Sequence, residues 1–348
     1  MPLHSTDHTS SGEGMTAIRR SARIFLASIL QSFIVLLAEP SPAFWPADPN
    51  VNLPIATNLY SHWAPRIVSL GAGGVIIVWE DLRAESNSYD IYAQRVSATG
   101  DVLWVTDGVP VTNAPGEQFG HRVVADGSFG AIVAWEDNRS GLGWDVYAQR
   151  IGPFGDVLWG SDGVAICTAD SDQVGVDIAP DGEGGANIAW TDSRNGPGSD
   201  IYSQRVDAQG TVLWTDDGVP VSAASRNQEK PRIVADGAHG AVIVWEDFRR
   251  SSTDSDIYAQ RISATGSPLW TFDGVTVCDL PGLQSNPQPV IDAVGGIIVA
   301  WDDFRFGGDG DIYAQRIVAA GAVAWVSGGV GVCTAVGIQD RAAVMSDA

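Results

Sequence analysis

Arg66, Arg122 and Arg232 occupy matching places in the chain, each ahead of a glycine-rich turn and an apolar run that ends in tryptophan. A guanidinium carries a planar fork of donors that fits a carboxylate, so three of them brought together would hold an anion. Asp177 and Gln288 stand at the same place in two further copies of this context, which puts one acid among the cations. Trp63 and Trp144 fall in segments read as connections, the first as the link into the first copy and the second as a loop of the second copy. An exposed aromatic ring at either place would stack on a sugar or anchor a protein partner. Trp63, Arg66, Arg122, Trp144, Asp177 and Arg232 are therefore the candidate ligand-binding residues. The competing reading pairs the arginines with nearby acids such as Glu117 or Glu229 and folds the loop tryptophans onto their own sheets.

Other groups capable of chemistry recur too regularly to form one site. Glu80-Asp81-x-Arg83 returns as Glu136-Asp137-x-Arg139, Glu246-Asp247-x-Arg249 and Asp302-Asp303-x-Arg305. A catalytic set is needed once per molecule, whereas a bracing device appears in every copy. These acids, with the Asp90-type residue downstream, are expected to form an Arg–carboxylate network across a hairpin. No catalytic residue is assigned: after residue 43 only His62, His121 and His239 remain, and none sits in a nucleophile motif. Cys167, Cys278 and Cys333 each close the same short element, have no metal-ligand spacing, and are read as structural. Asp181-Gly182-Glu183-Gly184 hints at Ca²⁺ but lacks the alternating ligands of a loop cage, so no metal site is assigned.

Repetition also defines the elements that must position these residues. Trp79, Trp135, Trp190, Trp245 and Trp301 are 56, 55, 55 and 56 residues apart, and Trp104, Trp159, Trp214, Trp270 and Trp325 form a second series. A fixed period of this size means one supersecondary unit repeated, each copy burying a face on its neighbour. Within a copy the pattern predicts four strands: one like Pro231–Ala235, the apolar run Ala241–Trp245, Asp256–Ile262, and a fourth around Leu269-Trp270. Four antiparallel strands repeated radially make an all-β propeller with five complete repeats and the start of a sixth. The turn SATGDVLW of the first copy and SATGSPLW of the fourth resemble the tryptophan motif of quinoprotein-type propellers. They are also similar to the Asp box of sialidase-type propellers, although Gly100 and Trp104 are one residue further apart than that motif has them. Both motifs are structural in their families, so the resemblance implies a fold, and an arginine cluster for an acidic sugar only by analogy.

Composition narrows the function classes. A formal net charge of −22 argues against nucleic acid and anionic membranes as partners, since both need a basic surface. Arg19, Arg20 and Arg23, the apolar run 24–38 and Ser41-Pro42-Ala43 read as an export signal, which divides the chain into residues 1–43 and a repeat domain over 44–348. The expected protein is a bacterial, secreted, periplasmic or cell-surface monomer that binds a glycan or protein without catalysis. The alternatives are a sialidase-like glycoside hydrolase and a structural module of a larger surface protein.

Overall fold

β-Branched and aromatic runs cut at fixed intervals by Gly, Asp and Ser make short strands joined by tight turns. The computed structural model describes residues 50, 52–71, 74–83 and 88–345; the expected signal segment and Trp45 lie outside them. Blade one consists of β1 (His62–Ser69), β2 (Val75–Asp81), β3 (Asp90–Val96) and β4 (Val109–Thr112). Blade two follows with β5 (Gln118–Ala125), β6 (Ala131–Asp137), β7 (Asp145–Ile151) and β8 (Val164–Cys167). Blade three has β9 (Gln173–Pro180), β10 (Ala186–Asp192), β11 (Asp200–Val206) and β12 (Val219–Ser222). Blade four has β13 (Gln228–Ala235), β14 (Ala241–Asp247), β15 (Asp256–Ile262) and β16 (Val275–Cys278). Blade five has β17 (Gln284–Ile291), β18 (Ile297–Asp303), β19 (Asp311–Ile317) and β20 (Val330–Cys333). Each is one four-stranded antiparallel sheet in sequence order. This is the β-propeller arrangement that the repeat predicts.

Two expected boundaries move. The fourth strand is the later GVPV-type element, and the segment before it makes only an isolated bridge such as Ile262 with Pro268. Trp63 lies inside β1, not in the connection before it.

The core lies between blades. Strand β6 alternates along its length, so Ile132 and Ala134 pack toward blade three while Ala131, Val133 and Trp135 pack toward blade one. Both faces of the second strand are thus buried, which is why it reads as an unbroken apolar run. Corresponding clusters join blades three and four, and four and five. The two ends differ: most of β1 and all of β20 are exposed.

Polar groups repeat as regularly. The indole N–H of Trp190 donates to Asp192 Oδ2 at 2.7 Å, and Arg194 forks onto the same carboxylate at 2.8 and 2.5 Å while lying over the Tyr202 ring at 4.1 Å. The other blades carry the same indole, aspartate, arginine and tyrosine set. The Asp90-type residue does not share that arginine as expected. It faces the first aspartate across the hairpin, as Asp90 faces Asp81 and Asp256 faces Asp247. Burial, then the neighbouring negative charge, pushes Asp90 up to about 6. Burial pushes Asp256 up to about 6 as well, with Arg250 opposing and Asp279 and Asp247 adding to the rise.

The glutamate of the motif leaves the hairpin too and latches the next blade. Glu80 accepts the Gly120 N–H at 2.9 Å, Glu136 that of Gly175 at 2.8 Å, and Glu246 that of Asn286 at 2.9 Å. Asp302 accepts the Arg341 N–H at 3.0 Å. At the junction of blades three and four the acceptor is instead the Thr191 hydroxyl, 3.3 Å from the Lys230 N–H.

Candidate site at the inner strands of blades two to four

The first strand of every blade carries a bulge near its start, and the residue there has positive φ: Ala64, Gly120, Gly175, Lys230 and Asn286. Glycine takes this conformation freely, whereas Lys230 holds it against its own Cβ. The bulge turns the next two residues toward neighbouring blades. Arg122, Asp177 and Arg232 all sit two positions beyond it, on β5, β9 and β13.

Three of the candidates therefore meet. Arg122 Nε lies 3.6 Å from Asp177 Oδ1, and Arg232 Nη1 lies 4.0 Å from Asp177 Oδ2. The acid comes from the blade between the two arginines. Its Oδ2 also accepts the Ile233 N–H at 3.1 Å, and Arg232 donates to Gln288 Oε1 at 3.1 Å. Burial raises the Asp177 pKa, and Arg232 and Arg122 oppose the rise. Burial lowers the pKa of Arg122, helped by the positive charges of Arg66 and Arg232. Arg66 is near enough to act on Arg122 through its charge, but no hydrogen bond or ion pair joins it to Asp177 among the described residues. The acids expected as arginine partners, Glu117 and Glu229, are not the ones used: Asp177 is.

Glu136 borders the same cluster. Its position matches Glu80 and Glu246, but burial pushes it up to about 7, against the N–H groups of Gly175 and Val176 and the charge of Arg122.

Next to Arg122 and Arg232 opens a cavity of about 280 Å³ that reaches Lys230, Glu246, Asn286 and Gln288. A second, of about 450 Å³, shares Gly175 and Lys230 with it and runs over Thr191 and Ser193 to Gly196–Ser199 and Asn227. A third, of about 530 Å³, shares Pro197, Gly198, Asn227 and Glu229 with the second and ends at Phe248 and Ser252. Common walls join the three into one groove, from the inner strands out over the seam between blades three and four. Lys230 straddles its inner half, with Nζ 2.9 Å from Glu246 Oε2.

Sequence reasoning missed Thr191, Ser193 and Lys230, although a signal was there. The third copy reads Thr191-Asp192-Ser193-Arg194 where the others have an acid first and Leu82, Asn138, Phe248 or Phe304 third. Two small side chains at the one place that breaks the motif leave the floor of the groove open.

No family model and no curated protein matches this chain. Similar solved structures include a protein of unknown function from Dyadobacter fermentans, with TM-score 0.45, 9% identity and coverage of 77% of this chain and 81% of that one. An α-L-arabinanase from Penicillium chrysogenum gives TM-score 0.48 at 14% identity, covering 78% and 82%. A Hadza microbial sialidase gives 0.41 at 10%, covering 75% and 57%.

The tryptophan candidates do not join the cluster. Trp63 is 57% exposed and borders a separate cavity of about 250 Å³ with Ile55, Ala56, His62, Pro65, Ile77 and Trp79. Trp144 is half-buried and meets Phe119 of its own blade edge-on, ring centroids 4.5 Å apart. The acids of the loop that hinted at Ca²⁺ are engaged elsewhere: Asp181 and Glu183 both bind Arg205, at 2.8 and 2.7 Å. Among the described residues no group of three acids, histidines or cysteines is placed to hold a metal ion.

Proposed function

We propose that the protein is a carbohydrate-binding propeller that takes an extended sugar chain in the groove over blades three and four. The observation that carries this reading is the convergence of Arg122 and Arg232 on Asp177 at the inner end of a groove with mixed donor and acceptor walls. Sugar hydroxyls both donate and accept, so alternating guanidinium, carboxylate and amide groups suit them. A carboxylated sugar would have to compete with Asp177 for the arginines, which favours a neutral one. Phe248 at the outer end supplies an apolar face for a ring. Export through residues 1–43 and display outside the cell belong to the same proposal.

Calorimetric titration of the full chain with neutral and sialylated sugars of increasing length tests it. Affinity should rise at least about tenfold from a monosaccharide to the matching tetrasaccharide, a gain of about 1.4 kcal/mol. Asp177→Asn should weaken binding of both, and Ser193→Phe with Thr191→Glu should remove only the gain from length. Absence of binding to every sugar would leave the structural-module reading in its place.

One observation favours hydrolysis as a second reading. Burial pushes the Glu136 carboxyl beside Arg122 up to about 7, the range in which a general acid works. Release of reducing ends that is lost in Glu136→Gln while sugar binding persists would establish it.

A further inference from the structure

Lys230 is the only lysine in the sequence, and it stands at the bulge of blade four with a φ of 54°. Blades two and three place Gly120 and Gly175 at the same point, so the fold does not require a side chain there. The interblade latch does not require one either, since it uses the Lys230 backbone N–H on the Thr191 hydroxyl. A side chain kept in a strained backbone conformation points to a use for the side chain itself. Here it delivers an ammonium, 60% exposed, to the wall of the inner cavity of about 280 Å³.

Hydrogen-bonding capacity around that cavity is lopsided. Lys230 Nζ gives one hydrogen to Glu246 Oε2 and keeps the others free. Arg122 spends Nη1 on the carbonyls of His121 and Gly120, and Arg232 spends Nη2 on Gln288 Oε1. Among the described residues neither Arg122 Nη2 nor Arg232 Nε makes a hydrogen bond. The side-chain acceptors are nearly all taken. Glu246 Oε1 holds the Asn286 N–H, Glu246 Oε2 holds Lys230, and Gln288 Oε1 holds Arg232. Asn286 donates its Nδ2 to Asp302, which leaves Asn286 Oδ1 as the open acceptor of this wall. Between these polar groups the wall is made by the rings of Pro231 and Pro287.

Several free donors, one free acceptor and an apolar wall are the complement of a secondary amide with a methyl group. A carboxylate fits less well: it has no hydrogen for Asn286 and nothing apolar for the prolines. The cations beside it are also already balanced, the arginines by Asp177 and Lys230 by Glu246. We infer that the inner cavity is a subsite for the acetamido group of an N-acetylated amino sugar. Its carbonyl accepts from Lys230 and the arginines, its N–H donates to Asn286 Oδ1, and its methyl lies against Pro231 and Pro287. This inference rests on the groove being a sugar site and names the class of sugar.

Calorimetric titration of the full chain with four β-1,4-linked tetramers tests it: those of N-acetylglucosamine, glucose, glucosamine and glucuronic acid. The four share one backbone, so differences between them report the substituent. The N-acetylglucosamine tetramer should bind at least about tenfold tighter than the glucose tetramer, and tighter than the two charged ones. Lys230→Gly and Asn286→Gly install the residue that blades two and three already hold at this bulge, so both variants should fold. Each should reduce the preference to within about threefold. Equal affinity of the native chain for the N-acetylglucosamine and glucose tetramers overturns the inference while the sugar groove stands. So does tightest binding of the glucuronic acid tetramer, which would make the cavity an anion site. A preference that survives both substitutions overturns it too, by placing the acetamido group elsewhere, as does binding of other sugars but not of the N-acetylglucosamine tetramer. Failure of every sugar to bind removes the groove reading itself, and the inference with it.

Discussion

Trp190→Ala should destabilise the protein by roughly 3–5 kcal/mol, read from the denaturant midpoint of the full chain, as removal of a large buried aromatic does. Trp190 has no exposed surface and belongs to the cluster that joins blades two and three. Its indole also roofs Gly218, where an added Cβ would sit 2.5 Å from the ring. The turn before β12 is therefore built to the thickness of an indole, and alanine would leave a void that strands cannot close without breaking register. Trp325→Ala is the internal comparison. The same residue type in the second series, at the uncovered end, should cost far less, and an equal loss in the two variants would contradict the packing argument.

The second large effect is expected at Asp247. Its carboxylate has no exposed surface and accepts from the Trp245 indole at 2.8 Å and from Arg249 Nε and Nη2 at 2.8 and 2.6 Å. Asp247→Ala leaves a largely buried guanidinium and an indole N–H without their acceptor, for which about 3–5 kcal/mol is the usual cost. Removing both partners should cost less than removing the acid alone, because the penalty comes from the stranded charge. Equilibrium unfolding of Asp247→Ala, Arg249→Met and the double variant decides the matter. Additive losses would mean that the two groups do not act as a pair.

The fold was legible because every level of the sequence agrees. The tryptophan period fixes the unit, the apolar run of Ala241–Trp245 marks the doubly buried strand, and glycine clusters mark the turns. The fourth strand was misplaced because Leu269-Trp270 carries the apolar signal, while the hydrogen-bonded ladder belongs to Val275–Cys278. Trp270 packs sideways, toward the next blade, where burial does not require a strand, and Leu269 is exposed. The arginine cluster was half legible. Aligning copies placed Arg122, Asp177 and Arg232 at one level, but the choice of Asp177 as their shared partner depends on a bulge that no residue pattern announces. The groove was not legible because Thr191 and Ser193 are a departure confined to one copy, where the others carry an acid and a larger side chain.

The carboxyl pairs that face each other across the hairpin of each blade's second and third strands have a consequence for proton release on unfolding. One member binds arginine. The other, Asp90, Asp145, Asp200 or Asp256, is raised above its ordinary 3.8, with burial the largest cause each time. Each of these groups keeps its proton to a higher pH in the folded chain than in the unfolded one. The stability that Asp90 and Asp256 contribute in this way is complete below about pH 4 and is lost as pH rises through about 6. Unfolding near pH 5 therefore releases protons from Asp90 and Asp256, and the heat absorbed includes the ionisation of the buffer that receives them. The same direction of shift at Asp145 and Asp200 repeats the effect in the hairpins of blades two and three.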